Sequence, residues 1–216
     1  MNYEFTGETK KFYGITLHRI RATKDIKRMG VLAGSIGGWI EKKSNLNGDA
    51  WVSDNARVYG TALVSGDAWV SDNARVYGTA LVSGYALVAG NAQVYGNAIV
   101  RSGSQVYGDA EVYGDAEVYG YAKVYDCARI SGCAGVTGNA DISGNAIVEW
   151  LYDYSVFKNT WSSGRFFTYT RSNKMWKVGC FHGTGAELIA KAYEDSDRSG
   201  KCYETIVRAQ EAIDND

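Results

Sequence analysis

Residues 49–66 read DAWVSDNARVYGTALVSG, and residues 67–84 repeat those eighteen letters without a change. Within each copy Ala-x-Val returns every six residues, as AWV, ARV and ALV. The frame continues outward from this stretch in both directions. From residue 50 to 146 in steps of six there are seventeen sites, of which sixteen are Ala and one is Ser104. Two residues after each, from Val52 to Val148, every site is Val or Ile. Extended backwards, the frame catches Leu46 and Ile40, with Ser44 and Gly38 in the Ala place, for about nineteen hexads.

A helix buries apolar residues at a spacing of 3.6, which a period of six does not supply. In an extended strand, alternate side chains share a face, so the Ala and the Val point one way and the residue between them the other. The next residues must turn the chain. The turn site, from residue 48 to 144, is Gly at thirteen of seventeen positions, with Asp54, Asp72, Ser102 and Asp126 at the rest. Gly and Asp tolerate left-handed backbone angles, so turn chemistry recurs at every hexad. The eighteen-residue copy sets the number of sides at three. The expected fold is a parallel β-helix of about six triangular coils, roughly 30 Å tall at one strand spacing per coil.

The phrase VYGDAEVYGDAEVYGYAKVYDCA, residues 106–128, resembles the hexapeptide-repeat proteins, and the left-handed sense of the helix is implied by that resemblance. Residues 17–56, with the AG-x-x-GGW step at Ala33–Trp39, are similar to the entry of YdcK-like hexapeptide proteins, a family labelled as transferases by analogy of fold. The tail resembles a small segment of uncharacterised phage proteins.

Three segments follow: an N-terminal β cap (1–36), the hexapeptide coil (37–149) and an α+β tail (150–216). Residues 3–25 alternate as a hairpin. In the tail, FFTYT and MWKVGCF read as two strands about a turn at Arg171–Lys174. AELIAKAYEDS and KCYETIVRAQEAI read as helices with Gly200 between them, a ββαα appendage. Because open β-helix ends invite polymerisation, capping is the leading role for this tail, with a separate interaction module as the other.

The chain has 216 residues, 26 Gly, no Pro and a net charge of −1. Residues 1–37 carry seven Lys/Arg against three Asp/Glu, whereas residues 38–149 carry seven against twelve. A nucleic-acid partner is not expected, since only the short first segment is basic. No apolar run approaches a membrane span, and the first residues lack a secretory pattern, so a cytoplasmic location is expected.

Hexapeptide acyltransferases, by resemblance, use a His base against a CoA-bound acyl group. Here His18 and His182 both lie outside the coils, and no loop interrupts the frame. Cys180 and His182 in GCFHGTG form a nucleophile–base pair only if a third group orients the imidazole. Cys127 and Cys133 occupy the same corner site on adjacent sides, which disfavours a bridge, and neither a metal nor a cofactor is expected.

The outward columns carry more information. Trp51, Trp69 and Leu87 line one side, and Leu63, Leu81 and Ile99 a second, before both turn polar. Tyr59, Tyr77, Tyr95 and Tyr113 form a further column, either a ladder of stacked rings or a ligand or partner surface. Exposed apolar columns point to an interface. The readings are a homo-oligomer (a trimer by resemblance), burial under the protein's own tail, or a groove for a host protein or small ligand. The favoured function is a non-catalytic scaffold or binding protein. Acyl transfer from CoA at subunit clefts, and nucleotide or sugar binding without turnover, are the alternatives.

Overall fold

A computed structural model describes residues 2–215. A hairpin of β1 (Tyr3–Phe12) and β2 (Ile15–Ala22) leads into β3 (Ile36–Ile40), which pairs antiparallel with β2 and parallel with the first coil. Seventeen two-residue strands follow, β4 (Trp51–Val52) to β20 (Ile147–Val148), one per hexad. They stack in three parallel sheets at the eighteen-residue register, for example Leu87 on Gln105 and Val88 on Val106. The side bearing Arg57, the side bearing Leu63 and the side bearing Trp51 close a triangular solenoid.

Every Val of the repeat is at 0% exposure and every Ala at 2% or less. Burying a Val-sized side chain stabilises the fold by about 1.5 kcal/mol or more, and here that contribution recurs at each hexad. All seventeen turn sites have positive φ, including Asp54 at 56°, Asp72 at 58°, Ser102 at 63° and Asp126 at 56°. The Asp residues offset the cost of that conformation by a bond unavailable to Gly. Asp72 Oδ2 accepts from Gly90 N at 2.9 Å and Asp126 Oδ2 from Gly144 N at 3.0 Å, each one coil further on.

Each coil donates its N–H groups forward: Trp51 N to Ala68 O and Ser53 N to Val70 O, both at 2.9 Å. The first coil therefore presents unpaired carbonyls and the last unpaired N–H groups. At the start, β3 serves Ala56 O and Val58 O, while the buried Asn45 amide donates to Gly60 O and Ala62 O at 3.2 and 2.8 Å. At the far end, side-chain oxygens of the tail accept from Thr137 N (Tyr154), Asp141 N (Thr168) and Ile147 N (Ser172) at 3.2, 2.9 and 2.8 Å.

The tail is a four-stranded antiparallel sheet, β21 (Tyr154–Lys158), β22 (Phe166–Thr170), β23 (Met175–Val178) and β24 (Phe181–Gly183), carrying α1 (Gly185–Asp195) and α2 (Asp197–Asn215). It has its own core around Phe167, Trp176, Leu188, Tyr203 and Val207. The sequence expectation of two strands is corrected to four. MWKVGCF is a strand, a turn at Gly179 and the start of another strand, and YSVFK pairs with FFTYT. Gly200 is likewise not between the helices. It lies inside α2, where a Cβ would come within 2.3 Å of the Tyr193 ring, so close helix packing requires the glycine. No helix among the described residues is long and apolar enough to cross a membrane.

Candidate functional site

The apolar column on the Trp51 side is not the open surface expected from sequence. Trp51 is 2% exposed, covered by the cap. Gly37 and Gly38 allow that approach, because a Cβ on Gly37 would lie 2.7 Å from the Trp51 ring and one on Gly38 2.7 Å from Val52. Trp51 is thus a core residue shared by cap and coil. Trp69 is half-buried, donates from Nε1 to Ser53 Oγ at 3.0 Å, and packs against the core together with Met29. Leu87, and Leu63, Leu81 and Ile99 on the next side, are also half-buried, since each leans on its in-register neighbours.

The tyrosine column is a ladder. Tyr59, Tyr77, Tyr95 and Tyr113 stack with centroids 5.0, 4.9 and 5.0 Å apart and planes within 5° of parallel. Phe12 of the hairpin closes the upper end edge-on at 5.6 Å. Each stacked pair contributes about 0.5–1.5 kcal/mol beyond simple burial. Burial, then the Glu111 carboxylate, pushes the Tyr95 hydroxyl up to about 12. Ring faces between rungs are occupied by one another, so only edges and hydroxyls face outward. A second stack, Tyr107 on Tyr125 at 4.8 Å, stands on the Trp69 side.

At the corner between the Leu63 side and the Trp69 side lies an open groove of about 1000 Å³, lined by Arg28, Ser83, Tyr85, Arg101, Ser102, Gly103, Gln105 and Tyr121. Its walls are two tyrosines at equivalent corner sites two coils apart, Tyr85 at 57% and Tyr121 at 73% exposure. Gly103 occupies the intervening rung and leaves the space between them. A Cβ there would sit 3.0 Å from the Tyr121 ring. Arg28, on the 3₁₀ turn Lys27–Met29, stacks over Tyr85 at 3.8 Å and faces Asp67 at 3.8 Å. Arg101 lies over Tyr119 at 4.5 Å and pairs with Glu117 at 3.3 Å. Ser104, behind the floor, is fully buried and donates to Arg101 O at 2.8 Å.

These residues were not singled out from sequence, although a signal was present. At the corner site after the turn residue the chain otherwise places Asn, Asp, Thr or Cys, and it departs to Tyr at 85 and 121 and to Gly at 103. Ser102 and Ser104, departures from Gly or Asp and from Ala, fall beside them. The irregularities of the repeat converge on one surface.

The candidate acid–base residues stand apart from this groove. His18 stacks on Phe5 at 4.6 Å in the cap. His182 packs over Gly144 of the last coil, where a Cβ would meet its Cε1 at 2.8 Å. Cys180 instead lines a cavity of about 290 Å³ between the tail sheet and its helices, so the pair is not brought together over one cavity. Thr184 caps α1 reciprocally with Glu187, whose Oε2 accepts from Thr184 N at 2.8 Å and already supplies the negative charge a helix start favours. Cys127, Cys133, Cys180 and Cys202 are unbridged. Among the described residues no cluster of His, Cys, Asp or Glu has the makings of a metal site.

Residues 92–108 match the family described as the YdcK beta solenoid repeat. That match and the parallel solenoid of about six turns fit a hexapeptide-repeat, YdcK-like protein. No curated protein matches the chain.

Proposed function

We propose that the chain is a non-catalytic β-solenoid scaffold that binds a small polar ligand, a sugar by preference, in the groove between Tyr85 and Tyr121. The observation that carries this reading is the groove's composition. Two exposed aromatic rings offer flat apolar contact, while two guanidinium groups, two serine hydroxyls and the Gln105 amide surround them with hydrogen-bonding groups. Its lining holds no His, Cys, Asp or Glu to move a proton or attack a carbon, which favours binding over turnover. Acyl transfer from CoA would need a base at the cleft, and both imidazoles are packed elsewhere. Four unbridged cysteines suit a reducing compartment such as the cytoplasm.

The test is titration of the full chain with a panel of mono- and oligosaccharides. We expect saturable binding that weakens at least tenfold in Tyr85→Ala and Tyr121→Ala with unchanged circular dichroism. Binding that survives both changes sinks the reading.

A second reading, self-assembly of prisms side by side as a trimer, is supported by the Leu63, Leu81, Ile99 column. These three aliphatic side chains stand in register on a side that the hairpin sheet does not extend. Light scattering checks it. The wild type should have the mass of a trimer, and Leu63→Ser, Leu81→Ser and Ile99→Ser combined should give a monomer. A monomeric wild type ends the proposal.

A further inference from the structure

The outer face of the Arg57 side begins with an arrangement unlike the rest of the solenoid. Lys10 Nζ lies 3.9 Å from the centre of the Trp39 ring, and Arg19 Cζ lies 5.0 Å from it. On the next rung Arg57 stacks over Phe12 at 4.6 Å, and Arg75 follows in register with Arg57. Four cations thus occupy one end of one sheet. Among the described residues none of the four makes an ion pair, although seven other cations do.

Aromatic faces attract cations without neutralising them, so the like charges still repel. Lys10 shows the consequence. Desolvation first, then Arg57 and Arg19, bring its ammonium down to about 8, with Glu8 only partly opposing them. Glu41, just after β3, is engaged with Gly60 N at 2.6 Å. A second observation is independent of charge. Arg19 Nε, Arg57 Nε and Trp39 Nε1 are all buried and have no hydrogen-bond partner, and Trp39 as a whole is only 5% exposed. Buried donors are ordinarily paired, and three orphans in one cluster are an exception that calls for an acceptor.

We propose that the face formed by Lys10, Arg19, Arg57 and Arg75 around Trp39 binds a phosphate-type oxyanion, separate from the groove at Tyr85 and Tyr121. A tetrahedral dianion matches the forked guanidinium donors and supplies acceptors to several of them at once. The Tyr13 ring, 83% exposed at the hairpin tip between β1 and β2, stands beside this face as a contact for the rest of a phosphorylated ligand.

The experiment is calorimetric titration of the full chain with inorganic phosphate at low ionic strength, with sulfate, acetate and chloride at matched ionic strength as parallel arms. Saturable phosphate binding that weakens at least tenfold in Lys10→Met and in Arg57→Gln, and is unchanged in the remote Arg208→Gln, is the expected result. A response to acetate equal to phosphate would make the ligand a carboxylate, and an equal response to chloride would reduce it to general screening. Either overturns the proposal. Should the variants unfold, the wild type alone decides. Phosphate must raise the Lys10 pKa measured by NMR and shift the Trp39 indole N–H resonance. If neither moves at saturating phosphate, the face is not an oxyanion site.

Discussion

The two ends of the solenoid meet the same hazard with opposite chemistry. Every coil donates N–H groups forward, so the N-terminal end is a row of carbonyls and the C-terminal end a row of N–H groups. The first end is closed largely by backbone: β3 joins the Arg57 side as another strand, and the Asn45 amide covers the Leu63 side. The last end is closed by side-chain oxygens from Tyr154, Thr168, Ser172 and Asp153, one or more on each side of the triangle. The direction of the backbone bonds dictates the difference. Carbonyl edges need donors, which a strand or an amide provides, whereas N–H edges donate to hydroxyl and carboxylate oxygens just as well. An uncapped edge of either kind is a template for another chain.

The sharpest way to break this comparison is Asn45→Ala. Asn45 is at 0% exposure, donates to two carbonyls of the first coil, and accepts from Lys42 N at 2.9 Å. Its loss leaves Gly60 O, Ala62 O and Lys42 N without this partner, the Ala62 carbonyl in buried surroundings, and destabilisation of about 3 kcal/mol is expected. Chemical denaturation measures it. A change below about 1 kcal/mol would mean that water replaces the amide and that the end is not sealed there.

At the other end the effect should be smaller for each contact. Tyr154→Phe removes a hydroxyl that accepts from Thr137 N and donates to Gly135 O at 2.9 Å, and Thr168→Val removes the acceptor for Asp141 N. These groups are only partly buried, so about 1 kcal/mol each is expected, nearly additive because they serve different sides of the triangle. Hydrogen exchange at Thr137 and Asp141 should speed up before global stability changes much. Unaltered protection at both amides would show that packing of the tail, rather than its oxygens, closes this end.

What could be read in advance divides along the same line as inside and outside. The interior was legible because its side chains repeat: Ala and Val at fixed places, Gly or Asp at the turn, and an exact eighteen-residue copy that gives three sides. The outer surface was legible only as columns. Trp51 looked exposed because its column continues as Trp69 and Leu87, but its burial is caused by Gly37 and Gly38 of a strand that belongs to no repeat. The tail's first and last strands were missed because the partner of YSVFK lies across residues 159–165, and FHG is only three residues long. The groove depends on a long-range contact, Arg28 over Tyr85, which no spacing announces.

Ser104 lies on the boundary between these two kinds of information, and changing it tests which one governs. Among the seventeen sites from 50 to 146 it alone is not Ala, yet it sits in the interior at 0% exposure. Its hydroxyl proton lies between two acceptors, Arg101 O at 2.8 Å and Val118 O at 3.2 Å, and the shorter contact takes it. Val118 O also accepts from Arg101 N at 2.9 Å and stays paired without the hydroxyl, so only Arg101 O loses its donor. Ser104→Ala therefore restores the repeat at a cost below about 1 kcal/mol, a shift in Tm of no more than about 4 °C. If the serine is there for the solenoid, that small loss of stability is its whole effect. If it fixes the backbone of Arg101 and so the floor of the groove, Tm will barely move while ligand affinity at Tyr85 and Tyr121 falls several-fold. A variant that binds as tightly as the wild type would assign the serine to the coil alone and detach the irregularities of the repeat from the groove.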